Sequence, residues 1–80
     1  MAGYVEAAGA QDAFAVTKSD ATVIRAEALY VGTGGNVAVI TRKGTTITFT
    51  NVPSGTILPI ACTKVMSTNT TASGIVGLIY

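Results

Sequence analysis

The sequence has no histidine, no tryptophan and a single cysteine, Cys62, and these absences exclude several kinds of site. One thiol cannot close an internal disulfide, and without histidine a structural zinc site would have too few soft ligands. A cysteine nucleophile would also lack an imidazole base, so we interpret Cys62 as a buried structural thiol. We therefore expect a protein that is not an enzyme and that has no catalytic residue, metal or cofactor.

Charge is also scarce. Charged residues make up 11% of the 80-residue chain, against about 25% in typical soluble domains. The net charge of +1 indicates neither a nucleic-acid partner nor an acidic tail. A folded domain of this size still exposes roughly 40% of its unfolded-chain surface, which nine charged side chains cannot cover. We therefore expect part of the surface to be buried against other subunits, in a homo-oligomer.

The chain shows no targeting or membrane-spanning segment. Residues 1–12 have neither a basic region nor an apolar run, which argues against a secretory signal. The apolar run 74–80 is far shorter than the roughly 20 residues that cross a bilayer. We expect synthesis in the cytoplasm and no membrane partner.

What is abundant indicates β structure. Val, Ile and Thr number nine, seven and thirteen, and such β-branched residues pack well on a pleated sheet. In 46–52, Ile47 and Phe49 alternate with threonines, which is typical of a sheet with one buried face. We predict an all-β fold: a small single-domain antiparallel β-sandwich or barrel of six to seven short strands. Residues 1–13 would form an extended N-terminal arm and residues 14–80 the β domain.

Runs of strand-like residues are separated by turn residues. We predict strands at 14–17, 22–31, 37–41, 46–52, 57–66 and 74–80, with 67–73 as a loop or short edge strand. Segment 22–31 would be one strand with a break or two short strands, and 29–31 is its most strand-like part. The glycine-rich segment 32–36 is interpreted as a hairpin turn, because no Gly-Lys-Ser/Thr follows it as in a phosphate loop. Gly44 and Gly55 are assigned to turns, and Pro59 to a sheet edge or bulge.

Several segments resemble one family of virion proteins. These are 14–17 (FAVT), 19–22 (SDAT), 28–35 (ALYVGTGG), 48–60 (TFTNVPSGTILPI) and 70–80 (TTASGIVGLIY). Together they resemble, in order, the head spike base proteins of gene transfer agents and related tailed bacteriophages. The segments 28–35 and 55–60 are the more specific ones.

The resemblance implies a non-enzymatic virion structural protein on the capsid surface. It would form the oligomeric base of a head spike or fibre, a pentamer or alternatively a trimer, bound to the major capsid protein and carrying a spike fibre protein. A capsid cement or decoration protein and a tail or fibre adaptor are alternatives within the same class. A host-surface carbohydrate-binding module is a third reading, which five aromatics without tryptophan make less attractive.

Contacts are expected at three places: the N-terminal arm, the glycine-rich loop and the adjacent basic pair. Their residues are Tyr4, Val5, Thr33, Gly34, Gly35, Asn36, Arg42 and Lys43. For Arg42 and Lys43, a solvated hairpin tip or a rim salt bridge is favoured over a phosphate contact. The four acids all lie in the first 27 residues, which would let one subunit's N-terminal region meet another's basic face.

Overall fold

The computed structural model describes residues 9–80, and within this range the chain forms seven strands and no helix. The strands are β1 Asp12–Ala15, β2 Ala28–Thr33, β3 Gly35–Thr41, β4 Thr46–Val52, β5 Thr56–Leu58, β6 Cys62–Val65 and β7 Ser73–Ile79. The predicted all-β, antiparallel, small single-domain fold is confirmed. Across residues 9–80, no helix is long and apolar enough to cross a membrane.

The strands form two antiparallel sheets. One has four strands in the order β1-β7-β2-β5, and the other has three in the order β4-β3-β6. Only β3 and β4 are consecutive strands that pair as a hairpin. The chain changes sheet after β2, β4, β5 and β6, so the two sheets are tied together at many points.

The inner faces of the two sheets share one core of small apolar side chains. Leu29 and Val31 of β2 are fully buried, as are Val37 and Val39 of β3. Val65 of β6 and Ile75 of β7 complete the centre of the cluster. Val and Ile dominate because their branched side chains fill a pleated surface. This explains why Leu is scarce in the sequence.

The bounds of the most regular predicted element are confirmed, but Ile47, expected on its buried face, is 44% exposed. The structure places β4 at Thr46–Val52, the predicted bounds, after a turn at 42–45. Thr41 closes that turn, because its backbone N–H donates to Thr45 O at 2.8 Å while its hydroxyl accepts from Thr45 N–H at 3.0 Å. Gly44 lies in this turn at φ 94°, a conformation that favours glycine.

The glycine-rich segment 32–36 is not a hairpin turn, and the prediction is wrong. Gly34 alone separates β2 from β3, and these two strands belong to different sheets. A Cβ added to Gly34 would overlap Val52 O and come within 2.8 Å of Ser54 N. The glycine therefore permits close backbone packing where the chain changes sheet.

Other predicted bounds shift. The single strand expected at 57–66 is two strands in different sheets, β5 and β6, because Pro59 cannot donate to a ladder and the chain breaks there. Of 22–31 only the second half is strand, in β2. The first strand is Asp12–Ala15 rather than 14–17, so it includes the last two residues of the predicted arm. Gly55 lies in the turn before β5 at φ 79°.

Residues 67–72 of the predicted segment 67–73 form a loop. This loop hydrogen-bonds to the part of β3 that lies beyond the end of β6. The Thr70 hydroxyl accepts from Ala38 N–H at 2.9 Å, and the amides of Thr71 and Ala72 donate to Asn36 O. Thr70 is buried in this position. A side chain thus replaces a strand on this side of β3.

The loop is held from outside by Asp20. Its carboxylate accepts from Thr68 Oγ1 at 2.5 Å, from Thr68 N–H at 2.9 Å and from Ser67 N–H at 2.8 Å. These hydrogen bonds, with that from the Thr68 hydroxyl the largest cause, lower the pKa of Asp20 below its ordinary value of 3.8. The ionised carboxylate therefore links segment 19–21 to the loop.

We expect Gly34→Ala to destabilise the protein, because its Cβ would press on backbone atoms that cannot move independently. Overpacking of this kind costs about 1–3 kcal/mol, which urea unfolding would measure as a lower midpoint. Gly9→Ala is the matched control, because a Cβ at Gly9 meets nothing within 4 Å. An unchanged midpoint for Gly34→Ala would contradict the close packing.

Asp20 predicts an acid-dependent loss of stability. Because its folded-state pKa is lowered, its stabilisation is present above the unfolded-state pKa and is lost as pH falls through the folded value. Thr68→Val, which removes the strongest donor, should weaken this acid dependence in thermal unfolding measured from about pH 5 downward. Thr68→Ser should retain it. Equal pH dependence in the two variants would refute the role of the hydroxyl.

Candidate assembly surface

The outer face of the four-stranded sheet is apolar along two cross-strand rows. Strand register places Ala15 opposite Val76, Val76 opposite Tyr30, and Tyr30 opposite Ile57, so one row crosses all four strands. A second row joins Ala13, Leu78 and Ala28. We call these seven residues the outer apolar face. It lies opposite the core face because Leu29 and Val31, on either side of Tyr30, point inward.

This face carries no charge in either row and is accessible except at Ala28, which is buried. Ile57 is 51% exposed and Tyr30 is 38% exposed, while Val76 and Leu78 are half-buried. Tyr30 is flanked by Val76 and Ile57, whose side chains offer no hydrogen bond to a sugar hydroxyl. The chemistry of the face therefore suits contact with another apolar protein surface.

The outer face of the three-stranded sheet is different, because threonine dominates it. Thr46, Thr48 and Thr50 of β4 are all exposed there. Thr46 lies opposite Ile40, which in turn lies opposite Lys64. This face offers hydroxyl groups and one cation, so it can form hydrogen bonds without the cost of burying many charges.

Three of the four sheet edges are protected. Segment 19–26 covers β6, since Ser19 N–H donates to Val65 O at 2.9 Å and Ile24 N–H donates to Thr63 O at 2.7 Å. β5 has only three residues, and Pro59 follows it. On β1, the Asp12 carboxylate accepts from the neighbouring Ala13 N–H at 2.8 Å. Short strands, proline, charge and covering segments are the usual ways in which proteins block edge pairing.

Among residues 9–80, nothing covers the fourth edge, β4, and only a bulge after Phe49 interrupts it. It is seven residues long and contains neither proline nor charge. On β3, Ala38 directs its N–H and C=O away from β4, to Thr70 and Met66. The opposite residue, Thr48, therefore directs its own N–H and C=O away from β3, as does Thr46 by the alternation of the ladder. Within residues 9–80, no hydrogen bond reaches these outward groups of β4.

The predicted contact residues fall in separate places. Tyr4 and Val5 lie outside the described residues. Thr33 is exposed at the end of β2, whereas Gly34, Gly35 and Asn36 are partly buried at the change of sheet. The Asn36 side chain accepts from Asn51 N–H at 3.1 Å, so it supports a bulge in β4.

Arg42 and Lys43 are exposed at the tip of the β3–β4 hairpin. Beside them is an open pocket of about 410 Å³, lined by Thr41, Arg42, Lys43, Thr45, Ile60 and Ala61. The hydroxyl of Thr41 is already bonded to Thr45 within the turn. The pocket thus offers two cations and an apolar wall.

The structure brings no reactive set of side chains together in the part of the chain that it describes. Cys62 is a free, buried thiol, as the sequence predicts. Its burial raises the pKa of the thiol, although Arg42 opposes this, so Cys62 remains protonated and inert at neutral pH. Among residues 9–80, no three carboxylate or thiol groups are placed to hold a metal ion.

The outer apolar face and the free edge were both missing from the predicted contact residues. The alternation of residues in 28–31 could have indicated the outer apolar face. Leu29 and Val31 share one side of the strand and Tyr30 lies on the other. The free edge had no such signal, because strand order is not encoded locally.

Comparison with solved structures finds one clear relative. A chain in the capsid of a native GTA (gene transfer agent) particle, computed with C5 symmetry, is similar to this chain with a TM-score of 0.79 and 39% sequence identity. The match covers 88% of this chain and 83% of the other. No family model and no curated protein matches. At this identity and coverage, the chain belongs to the same family as that capsid chain, a family of gene transfer agent and phage-like virion structural proteins.

Proposed function

We propose that this protein is the oligomeric base of a head spike or fibre on a phage-like capsid. The observation that carries the proposal is its 39% identity to a chain in the capsid of a GTA particle. In this role the protein binds the major capsid protein on one side and a spike fibre protein on the other. We place its assembly first as a pentamer and second as a trimer, because a base at a capsid vertex meets a five-fold axis.

The surface of the domain supports a role in assembly. An uncharged outer apolar face of seven residues crosses a whole sheet, with Ile57 and Tyr30 partly exposed on it. Such a face gains stability when another protein covers it. Symmetric repetition then multiplies a weak contact per copy into firm attachment.

A capsid cement or decoration protein, or a tail or fibre adaptor, would use the same surfaces. Copy number per particle distinguishes them. A vertex base is present in a small multiple of the number of vertices, whereas a cement protein follows the number of lattice positions. Quantitative mass spectrometry of purified particles would measure the ratio of this chain to the major capsid protein.

Binding to particles tests the proposal directly. Particles produced without this chain are mixed with the purified protein and sedimented, and we expect the protein to sediment with them at saturable stoichiometry. Ile57→Asp places a charge on the most exposed large residue of the outer apolar face, at its β5 end. This change should weaken the binding at least about tenfold, the equivalent of 1.4 kcal/mol.

Val23→Asp is the matched control. Val23 is also an exposed apolar residue, 70% exposed, but it lies outside the strands and outside the outer apolar face. It should bind particles as the unmodified protein does. Failure of the unmodified protein to sediment with particles would contradict the virion role, and full binding by Ile57→Asp would contradict the part played by the face.

A further inference from the structure

We propose that β4 is an acceptor edge on which residues 1–8 of a neighbouring copy add as an antiparallel strand. This inference deepens the proposed function, on which it rests for the existence of a homo-oligomer. The added strand therefore comes from a second copy of this protein. It would contact β4 through backbone hydrogen bonds, as in other cases of strand addition.

The acceptor is identified by the state of the four edges. β1, β5 and β6 are blocked by a carboxylate, by a proline and by a covering segment, respectively. Within residues 9–80 β4 has no such block before its bulge, and Thr46 and Thr48 direct their N–H and C=O groups outward. An exposed edge of this length pairs readily with another strand. A protein that stays in solution before assembly needs a specific occupant for it.

The donor is identified by where the described chain begins. Gln11 N–H donates to Ile79 O at 2.6 Å, which fixes the start of the domain beside β7 at the β1 edge. From β1 the chain reaches β6 within four residues, since Ser19 N–H bonds to Val65 O. β4 connects to β5 through only three residues. Hence β1 and β6 form one side of the domain, and β4 and β5 form the opposite side.

This arrangement favours a neighbouring copy over the chain's own edge. Eight extended residues reach about 26 Å at about 3.3 Å each. To reach β4 of the same copy, they would first cross three strand spacings and the gap between sheets, together roughly 24 Å. Almost nothing would remain to pair along β4, which is about 23 Å long. In a neighbour placed side by side, β4 faces the β1 side directly.

Sequence and charge fit this arrangement. Residues 1–8 contain one charged side chain, Glu6, and two strong strand formers, Tyr4 and Val5. In an antiparallel pairing the end of the segment lies beside the start of β4, so Glu6 approaches the tip that carries Arg42 and Lys43. Opposite charges at that point favour this direction of pairing over the reverse. The contact joins two different surfaces, so repetition around an axis closes a ring.

The test compares the mass of full-length variants in solution by light scattering. Thr48→Pro removes an N–H that faces away from β3, so it blocks strand addition while leaving the β3–β4 ladder intact. We expect the oligomer to dissociate to single chains, with association weakened at least tenfold. Thr48→Val keeps the N–H and should remain an oligomer.

A second pair of variants, at Val5, tests the added segment 1–8, which lies outside the described residues. Val5→Pro should also yield single chains, and Val5→Thr should remain an oligomer. If Thr48→Pro does not fold, as circular dichroism would show, the Val5 pair decides alone. Oligomers of unchanged mass in Val5→Pro, or in folded Thr48→Pro, would overturn the inference. A single-chain mass for the unmodified protein would instead contradict the homo-oligomer of the proposed function, and the inference with it.

Discussion

Every N–H and C=O at the edge of a sheet needs a hydrogen-bond partner, and this constraint shapes most of the structure. A two-sheet domain of this kind has four edges, and the chain uses what it has to protect three of them. Segment 19–26 lies along β6, Pro59 ends β5, and Asp12 caps an amide of β1. The remaining edge, β4, is left with the backbone groups of Thr46 and Thr48 facing outward. Among the described residues, this leaves one edge, β4, open to the strand addition that we propose.

The apolar residues of the sequence are divided between the core and the outer apolar face. Small branched side chains such as Val31, Val37 and Val39 fill a thin core between the sheets. Because a domain of this size cannot bury all its apolar residues internally, a further set lies on the outer apolar face around Tyr30. The low proportion of charge in the sequence corresponds to this uncharged face. Composition and structure thus lead to the same conclusion, that neighbouring molecules cover part of the domain.

The sequence predicts those elements whose signals are local. β4 and the turn at 42–45 follow from alternation and from Gly44, and both are confirmed. Predictions failed where the chain passes from one sheet to the other. From the sequence, Gly34 is predicted to be a turn residue. In the structure a glycine is required there because the backbone of Val52 and Ser54, about 20 residues away in the sequence, leaves no room for a Cβ. The outer apolar face and the free edge likewise depend on which strands become neighbours, and a single sequence does not encode that order locally.

Amide hydrogen exchange, measured by NMR or mass spectrometry on the assembled and the dissociated protein, tests the central claim most directly. In β4 the amides of Ile47 and Phe49 bond to β3, so they should exchange slowly in both states. Those of Thr46 and Thr48 should exchange rapidly in the dissociated chain and slowly in the assembly. Rapid exchange of these threonine amides in the assembly would show that the β4 edge stays open and would contradict the account.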